Sequence, residues 1–248
     1  MGEVGDTLTE WMGTDEHAKG TRGAVHDLAA ELRGVAEAIT FLDPEATDEA
    51  DVTPLVGQVA ALRAVIAALP DLSAHGSAAR SPVPASLLHE RSPVSGHVNP
   101  VAVPLHFEYF DDRVIARATF GRQFEGPAGG VHGGIVAAAF DEILGVAQML
   151  SGYAGYTASL TLDYRNITPT QTEVVHEAAV KELDGRKLRM WARSTAGDKL
   201  LVEAEALFII QSHLPTPVGP DNRDRDATRV AMAHEVKDAD PRNIEWTP

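Results

Sequence analysis

One stretch of the sequence restricts the fold more than any other, the apolar segment at residues 131–150. From Ile135 onward almost every position is apolar, so a helix built from this segment would need protein on nearly all sides. Asp141 lies in the middle of the run, where an ionised carboxylate is unfavourable unless a partner or a substrate uses it. Asp141 is therefore the first candidate for a catalytic residue.

The same predicted helix starts with two consecutive glycines, Gly133 and Gly134. The first N–H groups of a helix have no partner within the helix and lie at the positive end of its dipole. Such an end binds oxyanions and polarised carbonyl oxygens. Because paired glycines reduce the stability of a buried helix start, we infer that another group must approach this backbone closely.

The composition excludes several classes of function. The formal net charge of -15 argues against a surface for nucleic acid or for an anionic membrane. The sequence contains no cysteine, which excludes disulfides and cysteine-ligated zinc, and its ten histidines show no metal-ligand spacing. We therefore expect no metal and no cofactor. The first residues lack a secretory leader pattern and no apolar run looks long enough to span a bilayer, so a cytoplasmic protein is expected.

Residues 1–100 are predicted to form an N-terminal extension with two amphipathic helices. We expect residues 1–20 to be loosely ordered, and we place the start of the second helix at Thr53 as N-cap, with Pro54 as its first helical residue. The apolar stripes consist of Val25, Leu28, Ala29, Leu32, Val35, Ala36 and Ile39, and of Leu55, Val59, Leu62, Ile66 and Leu69. The two helices would pack as an antiparallel hairpin that covers the main domain or a second copy.

Two segments show no sustained hydrophobic period. Residues 71–104 are rich in Ser, Ala, Gly and Pro, which is typical of a linker or of a segment draped over the domain. Within them, residues 87–89 could form one short turn against a pocket or stay solvated. Residues 213–248 have few apolar side chains and are predicted to be an extended polar tail.

Between these segments the hydrophobic period changes to two, which indicates strands. The predicted strands are residues 105–110, 113–120, 156–165, 172–183, 186–195 and 200–211. In the last of them the inward side chains would be those of Val202, Ala204, Ala206, Phe208 and Ile210. One apolar helix followed by antiparallel strands predicts an α+β domain at residues 101–212, with the sheet wrapped around the helix.

These features together resemble a known family. A glycine-bearing loop, Val131-His132-Gly133-Gly134, a buried helix with an acid nine residues after the histidine, and four following strands are similar to the hot-dog-fold acyl-CoA thioesterases. Within them the sequence looks most like the phenylacetate-degradation and fatty-acyl-CoA branch. The resemblance covers about residues 101 to 212 and implies the hot-dog fold, with its antiparallel sheet around one long buried helix.

The resemblance also implies residue roles. The N–H of Gly133 would donate to the thioester carbonyl, Asp141 would be the base or nucleophile, and Thr157 would orient the attacking water. His132, the fourth catalytic residue, would support the loop and the contact to the carbonyl. Gly134, Gly130 and Ser159 are the residues expected to contact the substrate. One position departs from the family, because some relatives have Asn or Gln six residues before the histidine, where this sequence has Gly126, with Gln123 three residues further upstream.

The spacing of these residues has a consequence for assembly. Asp141 lies eight residues beyond Gly133, so the two are roughly 12 Å apart along one helix. One thioester group cannot touch both. If both act on the same carbon they come from different chains, which predicts a homodimer or a dimer of dimers with active sites at a two-fold interface.

The predicted activity is hydrolysis of an acyl-CoA, with a medium or long aliphatic chain favoured by the small residues Ala137, Ala138 and Ala139. Asp141 would either activate water or attack directly to form an anhydride, and both routes stay open. Two alternatives remain. The first is a non-catalytic acyl-CoA-binding protein with a regulatory or partner-binding role. The second is a hot-dog hydratase, which would need an acid and a histidine paired near the helix start.

Overall fold

Six antiparallel strands form one sheet in the order β1-β2-β4-β5-β6-β3. The computed structural model describes residues 3–12, 19–70, 89–103 and 105–211. Its strands are β1 (His106–Tyr109), β2 (Val114–Thr119), β3 (Gly155–Tyr164), β4 (Glu173–Asp184), β5 (Lys187–Ala196) and β6 (Lys199–Ile210). Its α-helices are α1 (Glu3–Met12), α2 (Gly20–Thr40), α3 (Glu49–Ala67) and α4 (Gly133–Ala147). Each strand lies within one or two residues of its predicted position.

The apolar helix α4 packs on one face of this sheet. Alternate residues of the strands point toward it, as the period of two predicts, and the five inward positions of β6 are all buried. The side chains of Phe140, Ile143 and Leu144 of α4 are completely buried in the resulting core. The predicted α+β fold with a sheet around one helix is confirmed.

The end of α4 also follows the prediction. A short 3₁₀ turn, Gln148–Ser151, continues the helix, and Gly152 closes it with a φ of 77°. A left-handed residue at this place is the usual C-terminal cap, and glycine adopts it without steric cost.

The N-terminal region differs from the prediction in two places. Residues 3–12 form α1 where loose order was expected, and Leu8 of α1 is completely buried in the main core. Helix α3 begins at Glu49 and not after Thr53, because the Asp48 side chain accepts a hydrogen bond from the N–H of Ala50 and so caps the helix. Pro54 therefore lies inside α3.

The two stripes do not pack against each other as the predicted hairpin would require. Helix α3 has no buried residue, and Leu55, Val59 and Leu62 remain 41–51% exposed. Ala29 is the buried residue of α2, whose polar side chains instead hold the segment at residues 89–103.

Residues 89–103 follow the surface of the domain as a draped segment. Glu90 is buried and accepts hydrogen bonds from Arg22 Nε at 2.6 Å and from His26 Nε2 at 3.1 Å. Arg33 donates to the carbonyl oxygens of His97 and Asn99. The short turn predicted at residues 87–89 lies mostly outside the described residues, as does the predicted tail at residues 213–248.

Two described helices are apolar and long enough to cross a membrane by length and composition, namely α3 and the α4 segment Gly133–Ser151. The expectation that no apolar run reaches this length is wrong. Length and apolar composition alone are weak evidence for a membrane span, because a core helix such as α4 has both.

His176 of β4 lies beneath α4 and is completely buried between Phe140 and Phe120, whose ring centroids are 5.4 and 6.3 Å from its own. Burial lowers the pKa of His176 from 6.5 to about 4. The folded chain therefore keeps this imidazole neutral at pH values where the unfolded chain is protonated.

We expect acid to destabilise the fold through His176. Between pH 6.5 and pH 4 the unfolded state binds a proton that the folded state does not, so the free energy of unfolding falls as the pH is lowered, by up to about 3 kcal/mol. Urea unfolding from pH 7 to pH 4 measures this slope. The variant His176→Leu should flatten it, whereas His132→Gln, which changes an exposed histidine, should retain it. An equal slope in wild type and His176→Leu would contradict the assignment.

Candidate active site

The first turn of α4 is organised by His132. This residue is the N-cap, with φ −59° and ψ 130°, and its Nδ1 accepts a hydrogen bond of 3.0 Å from the N–H of Gly134. Its carbonyl oxygen accepts the N–H groups of Ile135 and Val136. Because Nδ1 accepts, the neutral ring carries its proton on Nε2. His132 therefore has a loop-supporting role, as the resemblance implies.

The N–H of Gly133 is the donor that has no acceptor in this arrangement. Within the described part of the chain it donates to no protein acceptor, while the N–H groups on either side, those of His132 and Gly134, are both bonded. A free N–H at the positive end of a 15-residue helix can donate to a carbonyl or an oxyanion. The prediction for Gly133 agrees with this geometry, whereas the N–H of Gly134 is used by His132.

A groove of about 370 Å³ adjoins Gly133. This volume lies within the range of about 300–1,000 Å³ that is typical of small-molecule sites. The groove is lined by Val136, Tyr164, Ile167 and neighbouring loop residues, and Tyr164 Oη donates a hydrogen bond of 2.9 Å to the carbonyl oxygen of Gly133. Sequence reasoning missed Tyr164, because no local spacing connects it with a residue 31 positions away.

The loop before α4 shows why residue 126 of this chain is glycine and not the Asn or Gln of the proteins it resembles. The N–H of Gly126 donates to the carbonyl oxygen of Gly130 at 2.8 Å, which closes a tight turn. A Cβ atom at Gly126 would lie 2.8 Å from His132 Cα, so the backbone leaves no room for Asn or Gln. Gln123 does not take over the position, because its side chain lies against Gly121 and its Oε1 is buried.

The predicted substrate residue Gly130 has a packing role. It is buried, and a Cβ atom there would lie 2.5 Å from Ile167 Cγ2. The absence of a side chain therefore lets residues 127–131 pack closely against the loop that carries Ile167. In this way Gly130 shapes the wall of the groove.

Asp141 and Thr157 are brought together in one chain. Thr157 Oγ1 donates a hydrogen bond of 2.8 Å to Asp141 Oδ1. Thr157 lies just before a β-bulge, because it pairs with Phe208 while Ser159 pairs with the adjacent Leu207. A bulge changes the direction of neighbouring side chains, which the regular alternation of a strand pattern does not show.

The environment of Asp141 differs from the expectation of burial. Asp141 is exposed in the single chain, as are Thr157 and Ser159, because β3 is the edge strand of the sheet and no described residue covers this side of α4. Ser159 lies beyond the bulge and forms no hydrogen bond with Asp141 among the described residues.

The neighbouring carboxylate, Glu142, points toward the draped segment. Ser95 Oγ donates to Glu142 Oε1, and His89 Nδ1 lies 3.7 Å from the same oxygen. Two adjacent acids on α4 therefore have different surroundings, one packed against its own chain and one open. This contrast supports Asp141, and not Glu142, as the reactive acid.

Gly133 and Asp141 lie on the one helix α4, as predicted. Eight residues at about 1.5 Å each separate them by roughly 12 Å along the axis. His132 is bonded to Gly134 and is further from Asp141 still, so the acid–histidine pair that a hydratase would need is not formed within one chain.

Comparison with known proteins finds acyl-coenzyme A thioesterases among the relatives of this chain. No family model matches the chain. It is 36% identical over 91 residues to the acyl-coenzyme A thioesterase THEM4 of Xenopus laevis, covering 36% of this chain and 41% of that protein. It is 31% identical over 86 residues to THEM5 of Homo sapiens, covering 35% of each chain. The rat THEM4 shows 32% identity over 113 residues, which is 42% of this chain and 49% of the relative.

The chain thus spans less than half the length of these curated relatives. A solved structure described as a thioesterase superfamily protein aligns with a TM-score of 0.64 at 24% identity, over 79% of this chain and 92% of that chain. The structural match confirms the predicted hot-dog fold, and the sequence matches confirm the resemblance to acyl-CoA thioesterases.

We expect Gly126→Ala to destabilise the protein by about 1–3 kcal/mol, because the new Cβ atom would press on the His132 backbone. The matched control is Gly34→Ala in α2, where a Cβ atom meets nothing within 4 Å and a gain of about 0.5–1 kcal/mol is expected. Denaturant unfolding of the two variants compares the effects. Equal stabilities would show that the turn does not need glycine.

Proposed function

Since this chain has a hot-dog domain related to those of acyl-CoA thioesterases, we propose that it hydrolyses an acyl-CoA to the free acid and CoA. The observation that carries this proposal is the Asp141–Thr157 hydrogen bond on an open face of α4. A protein that only binds acyl-CoA needs neither the carboxylate nor the hydroxyl. The exposed position leaves Asp141 accessible to a thioester.

The chemistry follows from the two ends of the site. The free N–H of Gly133 polarises the thioester carbonyl and stabilises the oxyanion that forms when a nucleophile adds to it. In one route Asp141 takes a proton from water as the water oxygen bonds to the carbonyl carbon. In the other the carboxylate itself attacks and water then hydrolyses the anhydride. In both routes the carbon–sulfur bond breaks and CoA leaves as a thiolate that is then protonated.

The role of Thr157 is to hold the carboxylate. Its hydroxyl donates to Oδ1 of Asp141, so the second carboxylate oxygen remains available for water or for the carbonyl carbon. When the hydroxyl rotates away, the same Oγ can accept from a water molecule beside the carboxylate. Thr157 therefore positions either the acid or its water.

We propose that each active site is made by two chains. Within the described part of the chain, strand β3 has β6 on one side and no neighbour on the other, and seven of its ten residues are exposed. An exposed edge of 10 residues pairs readily with another strand. A two-fold axis at this edge would cover Asp141 and bring it toward Gly133 of the second copy, which resolves the distance of roughly 12 Å between them.

The alanines of α4 bear on the substrate class. Ala137 and Ala138 are half-buried and Ala139 lies in the core, so this turn of α4 itself contributes no large side chain that would compete with an acyl chain for space. Such space suits a medium or long aliphatic chain better than a short one. With this substrate the protein would act in fatty-acid metabolism in the cytoplasm.

We expect Asp141→Asn to reduce thiol release from acyl-CoA by at least about 100-fold, because it removes the base or nucleophile. Thr157→Val should cost about tenfold, since the carboxylate loses one hydrogen bond. Glu142→Gln is the matched control and should keep most of the turnover, because this acid faces Ser95. The assay uses short, long and aromatic acyl-CoAs. Saturable binding without turnover in the wild type would favour the non-catalytic binding protein.

The two-chain site predicts complementation between inactive variants. Gly133→Pro removes the free N–H, and proline fits the first position of a helix after a residue with the extended backbone of His132. We expect a loss of about 100-fold or more, whereas Gly133→Ala keeps the N–H and meets Tyr164 only at 3.7 Å.

Mixing Gly133→Pro chains with Asp141→Asn chains should restore activity. A mixed dimer has one site with both defects and one with neither, so full subunit exchange would recover about a quarter of the wild-type turnover. Mass spectrometry of the intact dimers verifies the exchange. Mixed dimers without activity would contradict a site shared between chains.

A further inference from the structure

Helix α3 carries a heptad pattern that the proposed reaction does not use. Its apolar residues alternate at steps of three and four, in the order Val52, Leu55, Val59, Leu62, Ile66 and, just beyond the helix, Leu69. The pattern places β-branched residues at every a position and leucine at every d position. This combination is typical of helices that pair with another helix through knobs-into-holes packing.

The pattern is not satisfied by any contact within the described residues. Leu55, Val59 and Leu62 are 51%, 51% and 41% exposed, and Leu69 is 59% exposed. A helix that is apolar on most sides is stable only when protein or lipid surrounds it. The seam of α3, defined as these heptad residues, therefore needs a partner outside the described chain.

Helix α2 carries a second seam of the same kind. Its heptad residues are Val25, Leu28, Leu32, Val35 and Ile39, followed by Leu42 beyond the helix, again at steps of three and four. Val25, Val35 and Ile39 are 42%, 44% and 63% exposed. The adjacent side of α2, with His26 and Arg33, is held by the draped segment. Both seams are thus left open while α2 is anchored on the domain.

The chemistry of this surface favours a second copy of the chain over a lipid surface. Helix α3 has the charges Glu49, Asp51 and Arg63 only, and the whole chain has a net charge of -15, so no basic cluster attracts anionic lipids. The two helices have 21 and 19 residues, of which Ala29 is buried. A standard interface uses about 20–30 residues a side, so the two helices together are long enough to supply one.

The segment that anchors α2 also lies far from the strand at which the proposed two-chain site would form. The draped segment that anchors α2 contacts β1, since the rings of His97 and His106 are 4.9 Å apart. Strand β1 is at the opposite edge of the sheet from β3, which is about 24 Å away over five strand spacings. A dimer formed at β3 would therefore leave both seams free.

We propose that α2 and α3 of two copies pack their seams together into a helical bundle that joins one hot-dog dimer to another. The bundle would form whether or not the chains also pair at β3. Only the total of four chains in the assembly rests on the proposed dimer at β3. Because the surface is built from apolar a and d positions, a charge placed on the seam disrupts it and a charge placed elsewhere on α3 does not.

The test compares two full-length double variants by sedimentation equilibrium. Leu55→Lys with Leu62→Lys places two charges on the seam, whereas Ala61→Lys with Ala64→Lys places the same charges on exposed positions off the seam. The seam variant should lower the particle mass twofold relative to the wild type at the same concentration. The control variant should keep the wild-type mass. Circular dichroism checks that both variants retain the fold.

The outcomes separate this proposal from the catalytic one. A wild-type mass that the seam variant leaves unchanged would overturn the bundle. The bundle would also be overturned if the wild type, but not the seam variant, pelleted with vesicles of phosphatidylcholine and phosphatidylglycerol. That result would assign the seams to a membrane. Thiol release is measured on the same samples and should be equal per chain, since neither variant touches the groove or Asp141. Halved mass with no activity in any sample would keep the bundle and refute the hydrolase.

Discussion

The packing of α4 against the antiparallel sheet is the interaction on which the rest of this structure depends. Three completely buried side chains, Phe140, Ile143 and Leu144, lie between the helix and the strands, and the alternating residues of β2, β5 and β6 close the core around them. Each such side chain contributes about 1.5–3 kcal/mol by leaving water. The buried neutral imidazole of His176 lies in the same layer, so the core that forms the fold also makes it sensitive to acid.

The helix fixed in this way has two chemically useful ends. Its N-terminus has one N–H without an acceptor in the described chain, beside a groove, because His132 uses the N–H of Gly134 and leaves that of Gly133. Its third turn carries Asp141, oriented by Thr157 from an edge strand. The rigidity of one helix keeps the donor and the acid apart. The geometry therefore favours a site assembled from two chains over a site within one.

The N-terminal region is attached by polar contacts and not by a shared apolar core. Glu90 is buried between Arg22 and His26, Arg33 binds two backbone carbonyl oxygens, and the backbone N–H of Arg122 donates to Glu37 close to the loop that precedes α4. Arg122 also lies over the ring of Phe41, 3.7 Å from its centroid. These contacts hold α2 against the domain through one side and leave Val25, Val35 and Ile39 of its apolar stripe exposed.

The sequence by itself determined the periodic elements, because the side-chain periods of 3.6 and 2 are local properties. It predicted α4, the six strands and their inward residues. It also predicted an acid eight residues beyond the free donor at the start of the same helix. Only the tertiary structure decided the contacts between distant segments. The bulge that turns Ser159 away from the face of Thr157 and Asp141, the Tyr164 hydroxyl on Gly133, the clash that excludes a side chain at residue 126 and the exposure of Asp141 all arise where separate chain segments meet. The hydrophobic period of one segment cannot predict these contacts, because they depend on how the sheet ends and which of its edges remains open.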